Sequence, residues 1–213
     1  VELSAFDLDN TLISGNSSAS FCRYLYKQGV IPFSTVFHSV VYALRHRFMG
    51  MTLSELHQSV FDKLLLGKPI ETLEKYVEKF VSEHIQDALY MPAFIRLKRA
   101  QQLGHYTMIL SNAPSFIVEK FARFLGVDSY HATEYDIDEN RRFNRIKKIL
   151  EGKDKAHHIK TMAKKLGLFL EQITAYSDSV LDLEFLEIAG NPIAVNPDKK
   201  LRAISVQKQW SII

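Results

Sequence analysis

"VELSAFDLDNTLISGN", Val1 to Asn16, is the stretch on which the fold turns. Its apolar run from Leu3 to Phe6 reads as a short buried β-strand that stops abruptly at Asp7-Leu8-Asp9-Asn10-Thr11. Carboxylates two residues apart face the same side of a continuing strand, and at a strand end both reach one pocket. Taken alone, "DLDNT" serves equally well as a turn whose Asp and Asn side chains bond local backbone. A calcium loop is excluded, because Leu12 stands where such a loop needs Gly and Ser18 where it needs Glu.

Beyond the strand, the pattern from about Asn16 to about Ala88 is helical throughout. Leu53, Leu56, Val60 and Leu64 recur at helical spacing, as do Ile70, Leu73, Val77, Phe80 and Ile85. Breaks at Gly29 to Pro32, Gly50 and Gly67 to Pro69 divide the region into about four helices. After Pro92 the rhythm alternates: helical "AFIRLKRAQQLG", strand-like "HYTMILS", helical "PSFIVEKFARFLG", then a helix from about Asp154 to Leu166. Strand-like "QITAYS", helical "VLDLEFLEIAG" and strand-like "PIAVN" follow. "DSYHATEYDIDENRRFNRI" alternates enough for a β-excursion. Strands separated by helices favour an α/β fold with a doubly wound parallel sheet covered on both faces. The expected organisation is a core of residues 1–15 and 89–213 with a helical bundle, 16–88, inserted after the first strand.

Composition narrows the classes. The 213 residues are 46% hydrophobic and 24% charged, as in a soluble globular protein with room for a core and a smaller domain. The net charge is only +3, and Lys and Arg are scattered among acids, so nucleic acid is not expected as a partner. A single cysteine, Cys22, forms no intramolecular disulfide and no Cys-based zinc site, which fits a reducing compartment, with cytoplasm the default. Glu2 and Asp7 stand where a signal peptide needs a basic and then an apolar stretch. "VIPFSTVFHSVVYAL", Val30 to Leu44, is interrupted by Pro32, Ser34, Thr35 and His38 and is shorter than the ~20 residues of a spanning helix. It reads as a buried or interfacial helix, and no stable membrane insertion is expected.

Ligands of parallel α/β sheets bind outside the carboxyl ends of the strands. The residues there are Asp7 and Asp9, then Ser111 and Asn112, then Asp178, with Asp182 one helical turn on and Lys155 opening the preceding helix. These are the parts of a phosphoryl-transfer site. One carboxylate can attack phosphorus while the other protonates the leaving group and later takes a proton from water. Asp178 and Asp182 lie four residues apart, near one helical face, although Ser179 and Asp182 also have the spacing of a capping box. Ser111 offers a hydroxyl beside backbone N–H groups that precede a helix, with Pro114 near its first turn, or serves as an ordinary cap. His157 and His158, about 100° apart on a helix, make a poor metal pair and read as surface residues. Four carboxylates and one lysine would repel a phosphate dianion, so the reading requires a divalent cation, Mg²⁺, held by carboxylate oxygens.

In this series the chain resembles the haloacid dehalogenase superfamily, in particular its phosphoserine-phosphatase-like subgroup. "DLDNT" matches the D-x-D-x-T motif, Ser111 the Ser/Thr motif, Lys155 the lysine motif and "SDSVLD" the terminal acidic motif. The resemblance implies a Rossmann-like core with a helical cap and a Mg²⁺-dependent phosphomonoesterase acting on a small phosphorylated metabolite. It implies Asp7 as nucleophile and Asp9 as general acid and base. Mg²⁺ would be bound by the Asp7 side chain, the Asp9 carbonyl and the Asp178 side chain, with Asp182 supporting the site. Ser111 and Asn112 would hold the phosphoryl group, and Lys155 would neutralise charge. Two departures concern substrate. Phosphoserine phosphatases follow the motif Ser with two glycines, where this chain has "SNAPSF", and carry a cap-side Glu where it has Asn16. A cap arginine for the substrate carboxylate has no clear equivalent, Lys63 being the nearest cation. A phosphotransferase, a lipid-phosphate phosphatase and a non-catalytic phosphate-ligand sensor stay open as alternatives, and the sequence sets no oligomeric state.

Overall fold

The computed structural model describes residues 2–213, with backbone alone at 46–48. Strand β1 (Leu3–Phe6) is buried along its whole length and lies at the middle of a seven-stranded sheet. The other strands are β2 (Tyr106–Pro114), β3 (Ser129–Ile137), β4 (Phe143–Lys148), β5 (Ile173–Ser177), β6 (Asn191–Ala194) and β7 (Ser211–Ile212), in the spatial order β4-β3-β2-β1-β5-β6-β7. Every pairing is parallel except β3 with β4, which closes the excursion predicted over 128–146 as an antiparallel edge. β1 pairs with both β2 and β5, so the chain reverses its direction of winding at β1. The crevice for a ligand in such sheets opens at that reversal.

Alternate residues of the central strands feed cores on opposite faces. Phe6, Ile109 and Tyr176 join one apolar cluster, while Ala5, Met108, Leu110 and Ala175 join the other. Phe6 and Tyr176, in register across β1 and β5, stack with centroids 4.2 Å apart. The covering helices are α5 (Met91–Gln102), α6 (Ser115–Leu125), α7 (Gly152–Leu166), α8 (Leu183–Glu187) and α9 (Lys199–Gln207). The α/β class with a parallel sheet buried on both sides is as the strand and helix order predicts.

Four helices separate β1 from α5: α1 (Ser17–Lys27), α2 (Phe33–Phe48), α3 (Leu53–Leu64) and α4 (Ile70–Ala88). Their breaks coincide with the Gly and Pro signals, and Leu73, Val77, Phe80 and Ile85 on α4 are buried as their spacing requires. Three expectations need correction. The helix foreseen over "VLDLEFLEIAG" is a 3₁₀ turn, Val180–Asp182, followed by the five-residue α8. β2 runs past Ser111, where the strand-like pattern ends, to Pro114, the N-cap of α6. Of the two readings of Val30 to Leu44, buried or interfacial helix, the buried one fails, since Thr35 alone is buried among its described side chains. Among the described residues no helix is long and apolar enough to cross a membrane.

Candidate active site

The site forms where β1, β2 and β5 end. After Phe6 the chain turns tightly, the amides of Thr11, Leu12 and Ile13 all donating to the Leu8 carbonyl. Leu8, Leu12 and Thr11 are sealed inside that turn, which fixes Asp7 and Asp9 with only 5% and 7% exposure. Asp9 receives the Asn16 amide on Oδ2 at 2.8 Å and the Ser17 backbone N–H on Oδ1 at 2.9 Å. Asn16 is also the N-cap of α1, accepting from Ala19 N through Oδ1. One side chain thus orients Asp9 and starts the first helix of the insertion.

Lys155 comes from the first turn of α7 and is 1% exposed. Its Nζ donates to Asp7 Oδ1 at 2.8 Å and to Asp182 Oδ2 at 2.6 Å, and the Ser177 hydroxyl donates to that same Asp182 oxygen at 2.7 Å. α7 and the Asp182 turn approach so closely because residue 152 is glycine: a Cβ there would lie 2.4 Å from the Leu181 carbonyl oxygen. Asp178 is held from outside by Asp198, whose amide donates to the Asp178 carbonyl and whose Oδ2 accepts from Val180 N at 2.8 Å. Thr11 Oγ1 lies 3.5 Å from Asp178 Oδ1. Ser111 is fully buried, its Oγ accepting from Ala113 N at 3.2 Å, which leaves the hydroxyl proton to donate. The Asn112 carbonyl accepts from the Thr133 hydroxyl at 2.7 Å.

The structure therefore gathers Asp7, Lys155 and Asp182 in direct contact, with Asp9, Asp178, Ser111 and Asn112 at neighbouring strand ends. Sequence reading missed four supporting residues. Asn16 and Asp198 carried an ordinary helix-start signal that said nothing of what else they touch. Gly152 and Ser177 act through tertiary contacts that no local pattern encodes. Of the two histidines read as surface residues, His157 is exposed, whereas His158 is half-buried and stacked on His131 with centroids 3.8 Å apart.

Electrostatically the site is short of positive charge. Burial pushes the Asp7 carboxyl well above its ordinary value against the pull of Lys155, with Asp182 and Asp178 adding to the rise. Burial likewise lifts Asp178 to about 7, helped by Asp182, and lifts Asp9 to about 6 in spite of Ser17 and Lys155. Burial alone would lower the Lys155 pKa, but Asp182 and Asp7 outweigh it and hold the ammonium above the usual lysine range. Such a donor set suits a hard cation. Among the described residues no three His, Cys, Asp or Glu side chains form a ready-made cage. Mg²⁺ does not need one, because it keeps several waters and binds through one or two carboxylates plus substrate oxygens.

A parallel sheet with a reversal at β1, ending in paired acids and a buried Lys–Asp contact, defines a class of phosphoryl-handling hydrolases. The sequence pattern of the haloacid dehalogenase-like hydrolases matches residues 5–187, and the chain belongs to that family of hydrolases. A phosphoserine phosphatase of Mycobacterium tuberculosis is 27% identical over 211 residues, which cover 97% of this chain and 68% of the relative. A histidinol-phosphatase of Neisseria meningitidis is 24% identical over 216 residues, 99% of this chain and 97% of its own. Among solved structures, a protein of unknown function from Bordetella pertussis superposes with a TM-score of 0.86 at 26% identity, over 99% of this chain and 97% of that one.

Proposed function

We propose that the protein is a Mg²⁺-dependent phosphomonoesterase that acts through an aspartyl phosphate on a small phosphorylated metabolite. The observation that carries the reading is the fully buried Lys155 bridging Asp7 and Asp182 at the winding reversal, with Asp9 two residues from Asp7. Asp7 Oδ attacks phosphorus, the bond from phosphorus to the leaving oxygen breaks, and Asp9 gives that oxygen its proton. Asp9, now a carboxylate, takes a proton from water as the water attacks the acyl phosphate, releasing phosphate and restoring Asp7. An Asp9 pKa near 6 suits a group that must give and take a proton near neutrality. Ser111 donates to a phosphoryl oxygen together with the backbone at Asn112, and Lys155 holds Asp7 and offsets its charge. Asp7 and Asp178 would hold Mg²⁺ with the Asp9 carbonyl, and the cation would supply Lewis-acid polarisation of the phosphoryl group. Asp182 Oδ2 serves Lys155 and Ser177, which casts Asp182 as the partner that holds Lys155 in place beside the site.

Residues 16–88 form the cap and 1–15 with 89–213 the core, a division supported by the bond from Asn16 to Asp9 at the junction. The single buried Cys22 supports a cytoplasmic working place. A second reading of the substrate is favoured by a cavity of about 220 Å³ between α1, α3, α4 and the start of α6. Phe21, Cys22, Leu25, Leu64 and Phe116 wall it, and Lys68 is the cation on its lining. The cavity nears the site through Ser18 and Pro114, and a leaving group that reaches into it would be less polar than serine.

Hydrolysis of an aryl phosphate with Mg²⁺ by the wild type and by Asp7→Asn tests the mechanism, and equal rates would refute it. Phosphoserine, histidinol phosphate and a short alkyl phosphate, compared by kcat/KM, test the substrate. The alkyl ester leads if the cavity takes the leaving group, and phosphoserine leads if it does not.

A further inference from the structure

α2 is built inside out. The middle of the face it turns toward the protein is polar, with Val36 and Val41 half-buried at its edges: Thr35 is buried, Ser39 donates to the Thr35 carbonyl at 3.0 Å, and the Cys22 thiol of α1 donates to Ser39 Oγ at 3.8 Å. His38 and Tyr42 are half-buried on the same side. The stripe it turns to solvent is apolar: Phe33 is 61% exposed, Phe37 56%, Val40 51% and Leu44 50%. These positions recur at i, i+4, i+7 and i+11, the spacing of a buried helical seam. Tyr26, exposed at the end of α1, meets Phe33 edge-on at 5.7 Å and extends the patch. A contiguous apolar stripe of this kind marks an interaction surface.

Charge identifies the partner. Between Asn10 and Ser54 the chain carries Arg23, Lys27, Arg45 and Arg47 and not one acid. Those four cations exceed the +3 net charge of the whole chain, and neither α1 nor α2 contains an acid to offset them. Arg23, Lys27 and Arg45 are exposed. The acid that follows, Glu55 on α3, is committed to Thr52, bonding both its amide and its hydroxyl at 2.8 Å. A second copy seated on this stripe would bring the same four cations of its own α1 and α2 and no carboxylate from either helix. An anionic lipid surface meets both the aromatic stripe and the cations. At 16 residues, about 24 Å, α2 is too short to cross a bilayer.

We propose that α2 docks the protein on anionic phospholipid membranes, lying in the plane of the interface with Phe33, Phe37, Val40 and Leu44 among the acyl chains. The binding is peripheral and independent of the catalytic reading.

The test is co-sedimentation with vesicles of phosphatidylcholine, with and without phosphatidylglycerol. The wild type is expected to pellet with the anionic vesicles and stay in solution with the neutral ones. Phe37→Ser with Val40→Ser should weaken partitioning by about tenfold or more. Arg45→Glu, which keeps the apolar stripe, should also weaken it, by about fivefold or more. Unchanged aryl-phosphate turnover in these variants shows that the fold is intact. A wild type that stays in solution with both vesicles overturns the proposal, as does unaltered binding by both variants. A wild-type dimer that Phe37→Ser with Val40→Ser converts to monomer, with no vesicle binding, shows that a second copy covers the stripe instead.

Discussion

Replacing Lys155 by Met tests the electrostatic core of the site. The substitution keeps the length of the side chain and removes the one cation that contacts Asp7 and Asp182, leaving two acids 5% exposed without a counter-charge. Breaking a buried ion pair from one side costs about 3–5 kcal/mol. The lower end, about 3 kcal/mol, applies here because Asp7 already binds its proton well above the ordinary range and can neutralise itself. For a chain of this size that corresponds to a fall in Tm of about 6–12 °C. The deficit should depend on pH. A carboxyl with a raised folded pKa binds more protons folded than unfolded, so its folded form gains stability as pH falls through that pKa. Lys155→Met should therefore lie closer to wild type at about pH 5 than at about pH 8. Adding Asp182→Asn should restore part of the loss, because it removes one of the two orphaned charges. Urea unfolding followed by circular dichroism, with the four members of the cycle at both pH values, measures all of this. Equal stability of Lys155→Met and wild type, or additive effects of the two substitutions, would refute the reasoning.

Gly152→Ala should be more disruptive than an ordinary helix substitution. The added Cβ meets the Leu181 carbonyl and forces α7 away from the turn that carries Asp182, so both Tm and turnover should drop. Asn16→Ala should lower turnover, cost about 1 kcal/mol through loss of the α1 cap, and move the Asp9 limb of the pH–rate profile to higher pH by removing a donor to its carboxylate. Asn16→Asp should keep the cap and still lose turnover, which separates positioning from folding. Burial first, and then the charges of His131, Lys148 and His157, hold His158 down to about 4. The stability that neutral His158 contributes is present above its ordinary value of 6.5 and lost as pH falls towards 4. His158→Gln should flatten the stability profile in that window, as read by thermal unfolding across the pH series.

The strand and helix order was legible because each element of the core follows a period its neighbours reinforce, from Leu3–Phe6 through "HYTMILS" to "QITAYS". The collection of Asp7, Asp9, Ser111, Lys155, Asp178 and Asp182 followed from one rule, that parallel sheets bind at their carboxyl ends. What stayed hidden lies in tertiary contact. "VLDLEFLEIAG" has the composition of a long helix, but the chain must turn sharply after β5 to bring Asp182 under Lys155, and a 3₁₀ turn does that. Asp198 is the N-cap of α9, a plain helix-start signal, while its other role, holding the Asp178 loop, is not local. α2 left two readings open, buried or interfacial, because an apolar stripe at helical spacing says that a helix is covered, not that its own chain covers it.

The central claim is that Asp7 carries the phosphoryl group. Mixing the enzyme with an aryl phosphate and Mg²⁺, quenching in acid within one turnover and mapping peptides by mass spectrometry tests it directly. The account predicts the added mass of one phosphoryl group on the peptide bearing Asp7, absent from Asp7→Asn. Turnover by the wild type with no such adduct, or turnover by Asp7→Asn at the wild-type rate, would contradict it.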